Sequence, residues 1–217
     1  MFFSKSKRDA KRIRALAKAK FDNILTCSEK MNDHAIRNLI VTLGKPIQSD
    51  FILGVCEDGQ DARPNLTPSE FFFDDIVYSY SYEDLKATEQ SKHDFPLSLT
   101  DDLVLPWPWS YNRYIDAVNN YSTKQGKPWQ QDTGNHYVSL WLPWRIGFVE
   151  GGNHSITAGI MAREGQLIPE HVYDMSFLFD RIRTDGLDWY LNEKKIQPVK
   201  RYQTAAIFEL GRKLTEK

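Results

Sequence analysis

The sequence contains few cysteines and no long apolar run. Its 217 residues include 2 cysteines, Cys27 and Cys56, too few for a disulfide framework and without metal-ligand spacing, so a reducing compartment is predicted. No stretch of about 18 consecutive apolar residues occurs, which argues against a membrane-spanning helix. No apolar core of a secretory signal follows the basic residues near Met1. These absences predict a cytoplasmic protein without a membrane span.

Charge is nearly balanced over the whole chain but is divided unevenly along it. The formal net charge is -1, from 28 Lys and Arg against 29 Asp and Glu. Residues 1–20 hold eight basic side chains against the single acid Asp9, a net +7, so the other 197 residues sum to -8. A basic arm joined to an acidic body favours a nucleic-acid or anionic partner.

Apolar spacing and capping residues predict helices near both ends of the chain. Residues 4–43 are rich in helix formers, and a second helical stretch, Ala35 to Leu43, is predicted to stop at Gly44 with Pro46 just beyond. Thr67-Pro68-Ser69-Glu70 predicts a helix that starts at Pro68. Residues Tyr202 to Leu214 predict a closing helix. The apolar face of the helix from Pro68 would comprise Phe72, Phe73, Ile76, Val77 and Tyr80.

Between residues 95 and 169 short strands alternate with short helices. An extended segment ends at Leu105, a helix opens at Tyr111-Asn112-Arg113, and two strand-like runs of about 137–142 and 145–150 favour an antiparallel pair. A helix over 155–164 and a strand near 170–174 follow. Few helices are long and the strands are short, so the predicted class is α+β: a small mixed sheet with surrounding helices and an N-terminal helical extension.

The segment 147–159 carries the strongest functional pattern. An apolar strand leads through Glu150 into Gly151-Gly152, and a helix begins near Asn153. Paired glycines permit a sharp turn and close approach of a ligand, and the free N–H groups of a helix start attract a phosphate. The predicted phosphate-binding residues are Gly151, Gly152, Asn153, His154 and Ser155. The alternative is a tight turn with Asn153 or Ser155 as the helix cap, without a ligand.

The order of these features resembles the ParB/sulfiredoxin-like superfamily. The resemblance rests on the extended Leu99–Leu105 segment, the Asn112-Arg113 helix start, the strand pair and the Gly151-Gly152-Asn153-His154 turn. It is clearest over residues 95–169 and implies a basic helical arm over residues 1–45 followed by a ParB/sulfiredoxin-like domain over 46–217.

The resemblance also implies roles for individual residues. Gly151, Gly152 and His154 fall on the nucleotide phosphate loop of the superfamily, and Asn112 and Arg113 fall on its upstream arginine segment. Asn153 stands where sulfiredoxin has its cysteine, so sulfiredoxin chemistry lacks its nucleophile here. Ser155 replaces an arginine, which removes a bidentate phosphate clamp.

Glu150 is the predicted metal ligand and the acid that would orient water, with a solvated strand end as the alternative reading. Asp174, Asp180 and Asp185 are further metal-ligand candidates that no spacing selects. His136 is interpreted as a loop histidine, and His34, His93 and His171 have no partner that the sequence reveals. Aromatic residues cluster over 107–144: Trp107, Trp109, Tyr111, Trp129, Trp141 and Trp144. Beside a phosphate site they could stack a nucleobase or single-stranded DNA, but core packing explains most of them equally well, and at most one or two are expected to touch a ligand.

Within the superfamily, the chain resembles the plasmid-encoded fertility-inhibition proteins of the oncogenic-suppressive type, which have ATPase and DNase activities. That resemblance implies a nucleotide-binding ATPase that uses ATP or another nucleoside triphosphate with Mg²⁺. It also implies DNA binding, a metal-dependent DNase activity and a protein partner in a conjugation or secretion system. The predicted catalytic residues are Glu150, Arg113 and His154.

Two alternatives come from other functional classes. The fold could serve as a non-enzymatic inhibitor or adaptor that docks on a protein partner. The chain could also be a DNA-binding regulator that acts through its basic arm.

Overall fold

The computed structural model describes residues 2–61, 71–73, 85–86 and 88–216. It is a mixed α+β fold, in agreement with the predicted class. Its helices include α1 (Phe2–Ser28), α2 (Asp33–Glu57), α3 (Tyr111–Asn120), α4 (Asn153–Ala162) and α5 (Tyr202–Thr215). Its strands are β1 (Leu97–Ser98), β2 (Leu103–Leu105), β3 (Val138–Leu142), β4 (Ile146–Val149), β5 (Gln166–Leu167), β6 (His171–Asp174), β7 (Ile182–Thr184), β8 (Asp188–Leu191) and β9 (Lys194–Pro198).

Within the described residues the strands form three small sheets. The central one has the order β2-β4-β3-β6, with β2 parallel to β4, β4 antiparallel to β3, and β3 parallel to β6. The antiparallel β3–β4 pair predicted from the sequence is confirmed. Strands β1 and β5 form an antiparallel pair, and β7, β8 and β9 form an antiparallel sheet that the sequence analysis did not predict.

Both faces of the central sheet are covered. Successive residues of a strand point to opposite faces, so neighbouring residues of β2 reach different cores. Leu103 and Leu105 of β2 join the core formed with α2 and α5, whereas Val104 joins a second core with Ile156 of α4. Helix α4 therefore lies on the face opposite α2 and α5. Its N-terminus directly follows β4, at the edge where the candidate site forms.

Helix α2 corrects the predicted stop at Gly44. It begins with Asn32, whose side chain accepts a hydrogen bond from the Ala35 N–H at 2.9 Å, and it continues through Pro46 to Glu57. The residues Ile36, Ile40, Ile47 and Phe51 are buried on one face, so packing outweighs the local breakers. The boundary between residues 45 and 46 consequently falls within a continuous helix.

The helix predicted from Pro68 and the predicted absence of a membrane span can be compared only with the residues that the structure describes. Phe71 and Phe72 are helical, and both are buried with Phe73 in the main core. The predicted helix start at Pro68 and the positions Ile76, Val77 and Tyr80 lie outside the described residues. By length and apolar composition, α2 is the one helix among the described residues that could cross a membrane, and eight of its residues are buried. The absence of a membrane span stays a prediction.

Candidate functional site

The turn between β4 and α4 requires both of its glycines. Gly152 has a φ of +77°, and a Cβ there would lie 2.3 Å from the His136 side chain. A Cβ on Gly151 would lie 2.7 Å from the carbonyl oxygen of Asn135. Because the predicted clashes are with residues 135–137, close packing accounts for the glycines, and their identity alone does not establish a ligand site.

The start of α4 presents main-chain donors without a side-chain cap. Gly152 occupies the N-cap position, and the first intrahelical bond runs from the Ile156 N–H to the Gly152 carbonyl at 2.9 Å. The N–H groups of residues 153–155 therefore have no acceptor within the helix. The helix dipole places partial positive charge at the same point, which favours an anion.

A cleft of about 540 Å³ opens at this helix end. It brings together seven of the predicted site residues: Arg113, Glu150, Gly151, Gly152, Asn153, His154 and Ser155. Asn112, in contrast, is exposed on α3 and is not among the residues that line the cleft. The predicted phosphate loop and the predicted arginine thus share one cavity, although they are about forty residues apart in sequence.

Arg113 lies over an aromatic ring at the mouth of the cleft. Its guanidinium carbon is 5.4 Å from the Trp109 ring centroid, and Trp109 meets the His154 ring edge-on at 5.6 Å. A cation held over an indole face keeps its charge while its position is restricted. Across the part of the chain that the structure describes, no salt bridge to Arg113 is found.

His154 is held in the neutral form. Its Nε2 accepts a hydrogen bond from the Ser110 N–H at 3.1 Å. Burial lowers the pKa of His154, and the positive charge of Arg113 lowers it further. At neutral pH the proton is therefore on Nδ1, and the ring can donate one hydrogen bond but carries no positive charge.

Asn153 and Ser155 also bind other parts of the protein, one through its side chain and one through its main chain. The Asn153 side chain is buried and its oxygen accepts from the Trp107 N–H at 2.8 Å. The Ser155 carbonyl accepts from the Trp129 ring N–H at 2.7 Å. Asn153 therefore anchors the aromatic loop to α4 through its side-chain oxygen.

Glu150 is exposed at the end of β4 and accepts a hydrogen bond from the Ser139 hydroxyl at 2.6 Å. Of the other predicted ligand candidates, Asp174 accepts from the Ser176 N–H at 3.0 Å, and Asp185 accepts from two main-chain N–H groups of the β7–β8 turn. Neither these two residues nor Asp180 lines the cleft. Over the described ranges, no group of three or more His, Cys, Asp or Glu side chains could hold a metal ion.

The sequence analysis missed several residues of the cleft. Asp116 and Asn120 follow Arg113 on the same face of α3, and Tyr121 ends that helix. The spacing of three and seven residues from Arg113 is the signal that could have found them. Lys127, whose ammonium lies 4.3 Å from the Tyr121 ring centroid, and Asn135 come from the following loop and carry no such signal.

Half of the aromatic cluster is core, whereas Trp107 and Trp109 are partly buried and Tyr111 is exposed. Trp129, Trp141 and Trp144 are buried, and of the described tryptophans Trp109 alone lines the cleft. The interpretation of His136 as a loop histidine is confirmed. It is buried, stacks on Trp129 at 5.0 Å, and accepts a hydrogen bond from the Asp132 N–H at 2.9 Å.

Comparison with known proteins gives a family without an assigned activity. Residues 2–217 match the model of a protein family of unknown function, DUF6710. No curated protein and no solved structure matches the chain.

Proposed function

We propose that this chain, which belongs to the DUF6710 family, binds a nucleoside triphosphate at the N-terminus of α4 and hydrolyses its terminal phosphate. The observation that carries the proposal is the shared cleft: an uncapped helix start, an arginine and a carboxylate surround one cavity of about 540 Å³. That volume is within the range of small-ligand sites. The resemblance to the ParB/sulfiredoxin-like superfamily supports the same proposal.

Phosphate binding would use main-chain and side-chain donors together. The N–H groups of residues 153–155 provide the dipolar end of the site, and the Arg113 guanidinium provides a full charge with planar donors that suit phosphate oxygens. Neutral His154 adds one donor through Nδ1. This set neutralises an anion without the arginine that Ser155 replaces.

Residues at the end of α3 suit the sugar and base. Tyr121 supplies an aromatic ring, and Asn120 supplies a side-chain oxygen acceptor. The Asn120 amide nitrogen already donates to the Asp116 carbonyl at 2.7 Å, so its side-chain oxygen remains as an acceptor for a hydroxyl or amino group. A nucleotide bound this way would span from the loop after β4 to the end of α3.

Glu150 and Asp116 are the carboxylates that would hold a magnesium ion. Mg²⁺ prefers oxygen ligands and is usually held by one or two carboxylates together with substrate phosphates. Both carboxylates line the cleft where the triphosphate would bind. Bound Mg²⁺ would neutralise phosphate charge and so remove the repulsion between Glu150 and the ligand.

Hydrolysis needs a positioned water and neutralised charge. Glu150 would accept the proton of a water whose oxygen forms a bond to the γ-phosphorus, while the bond from that phosphorus to the bridging oxygen breaks and releases ADP and phosphate. The hydrogen bond from Ser139 fixes the orientation of Glu150. Arg113 would stabilise the charge that develops on the phosphoryl oxygens.

Phosphate release from ATP tests this proposal. Glu150→Gln and Arg113→Gln should each lower the rate by about 100-fold, the usual loss when a catalytic base or a charge-stabilising donor is removed. Arg37→Gln is the matched control, because Arg37 is exposed on α2 and lies outside the cleft. Equal rates in all four proteins would contradict the proposed active site. Tight ATP binding without turnover would instead support the adaptor alternative.

A further inference from the structure

The part of α1 from Arg8 to Leu16 buries little of its surface. Every residue from Arg8 to Leu16 is exposed, whereas Phe21 further along the helix is buried against the body. A helix that packed along its length would have one buried face. The basic residues Lys11 and Arg12 therefore lie on an exposed part of α1.

The structure adds a second basic element that the sequence places far from the arm. Arg14 of α1 and Lys195 of β9 both bind the same carboxylate oxygen of Asp188, at 2.6 and 2.8 Å. Asp188 is buried, but the two cationic side chains are 48% and 55% exposed. The structure therefore brings Arg14 and Lys195 together on one partly exposed surface, beside a second carboxylate, Asp185, which accepts from the Asp188 N–H at 2.8 Å.

We propose that α1 and β9 form one composite surface that binds the phosphodiester backbone of a nucleic-acid duplex. Residues 8–20 of α1 span roughly 18 Å at about 1.5 Å per residue. The major groove of B-DNA is about 12 Å wide and admits a single helix. Lys11 and Arg12 would contact phosphates from the exposed part of α1, while Arg14 and Lys195 contact the flanking backbone without leaving Asp188. This surface is separate from the nucleotide cleft and does not depend on the proposed hydrolysis.

The charge pattern favours a nucleic acid over an anionic membrane. Membrane-surface helices bury a broad apolar face beneath the lipid headgroups. Among the described side chains of α1, the large exposed apolar ones are Ile13 and Leu16, and Arg12 and Arg14 flank Ile13 in the sequence. Cations from two separate elements, by contrast, suit a duplex, because its two strands each present a line of phosphates.

Binding of a labelled DNA duplex and of a matching RNA duplex, measured by fluorescence anisotropy over a range of salt concentrations, tests the surface. The slope of log affinity against log salt is negative, and each lost phosphate contact reduces its magnitude by about 0.9 for DNA. Lys11→Gln/Arg12→Gln should therefore reduce that magnitude by about 1.8, and Lys195→Gln by about 0.9. The control Lys86→Gln/Lys92→Gln removes two charges elsewhere and should leave the slope unchanged.

Three outcomes would overturn the proposal. One is equal loss of binding in the control and in Lys11→Gln/Arg12→Gln, because net charge would then explain the affinity. Another is wild-type salt dependence in Lys195→Gln, which would remove β9 from the surface. The third is binding to phosphatidylserine vesicles with no binding to either duplex. Arg113→Gln should bind the duplex as the wild type does, which separates this result from any failure of the nucleotide site.

Discussion

At the scale of single residues, Gly211 of α5 leaves no space for a side chain. A Cβ at this position would lie 2.0 Å from the ring nitrogen of Trp144, which is itself buried. Gly54 of α2 is the opposite case, since a Cβ there would meet nothing within 4 Å. A side chain at Gly211 would therefore test steric exclusion, and one at Gly54 would test helix propensity alone.

Substitution of each glycine by alanine should change stability in opposite directions. Gly211→Ala should lower the free energy of unfolding by about 2 kcal/mol because Trp144 or α5 must shift. Gly54→Ala should raise it by about 0.5 to 1 kcal/mol, since alanine has the higher helix propensity and its Cβ meets no neighbour here. Urea denaturation measures both. A stabilised Gly211→Ala would contradict the packing of α5 on Trp144.

Two histidines make stability depend on pH in a defined window. Burial lowers the pKa of His136 although Asp132 opposes the shift, and burial followed by Arg113 lowers the pKa of His154. The unfolded chain then binds more protons than the folded one near and below pH 6.5, so the stability present above that pH is lost as the pH falls through it.

The melting temperature of the wild type should therefore decrease from pH 7.5 to pH 5.5. His136→Gln should make this decrease smaller, whatever its melting temperature at pH 7.5. His93→Gln, at an exposed position, is the control and should keep the wild-type pH dependence. The same pH dependence in all three proteins would contradict a depressed pKa for His136.

At the scale of secondary-structure elements, Pro46 lies within α2 and weakens it. Proline lacks the N–H that would bond to the Thr42 carbonyl, and its ring crowds the preceding turn. Pro46→Ala should raise the free energy of unfolding by about 1 to 2 kcal/mol, which is the helix penalty of proline less the entropy that proline removes from the unfolded chain. Ser49 is also exposed on α2, and Ser49→Ala should raise the free energy of unfolding by about 0.5 kcal/mol at most. A less stable Pro46→Ala would show that α2 depends on the proline.

Local patterns predicted some elements well and others poorly. The predicted closing helix matches α5, and the strand pair of β3 and β4 was predicted because two strand-like apolar runs are separated only by Pro143-Trp144. The stop in α2 was wrong because burial of Ile47 and Phe51 requires tertiary contacts that a local breaker does not reveal. The β8–β9 hairpin was missed because Asn192-Glu193 adopts positive φ at both turn positions without the usual glycine.

The candidate site was predictable where it is continuous in sequence. Glu150 through Ser155 form one strand–turn–helix unit, so glycines and helix polarity sufficed. Arg113 was included through a resemblance, and its position beside Trp109 and His154 depends on how α3 packs against α4. Lys127 and Asn135 enter the cleft from a loop whose path no local pattern determines.

At the scale of the whole molecule, the balanced net charge conceals two separate regions. The exposed part of α1 carries the basic arm, while the cleft contains two cations, Arg113 and Lys127, and two carboxylates, Asp116 and Glu150. Ligand binding in the cleft would thus depend on where its individual charges lie. Binding by the arm would depend on its excess of positive charge.

Deletion of residues 1–12 should separate the two regions. It removes Lys11 and Arg12 but keeps Arg14 and the buried Phe21 that attach α1 to the body. We expect ATP affinity, measured by calorimetry, to stay within about twofold of the wild type, while duplex binding falls by at least about tenfold. Parallel loss of both affinities would show that the arm is part of the nucleotide site.

Backbone amide chemical shifts of the isotope-labelled full chain, titrated with a non-hydrolysable ATP analogue and Mg²⁺, test the central claim most directly. Binding at the start of α4 should produce its largest shifts in the amides of residues 151–155 and in the Arg113 side-chain N–H, with smaller shifts near Tyr121. The Arg113→Gln variant should need a higher analogue concentration for the same shifts at residues 151–155. Largest shifts in α1 or β9, or no shift at millimolar analogue, would contradict a nucleotide site in this cleft.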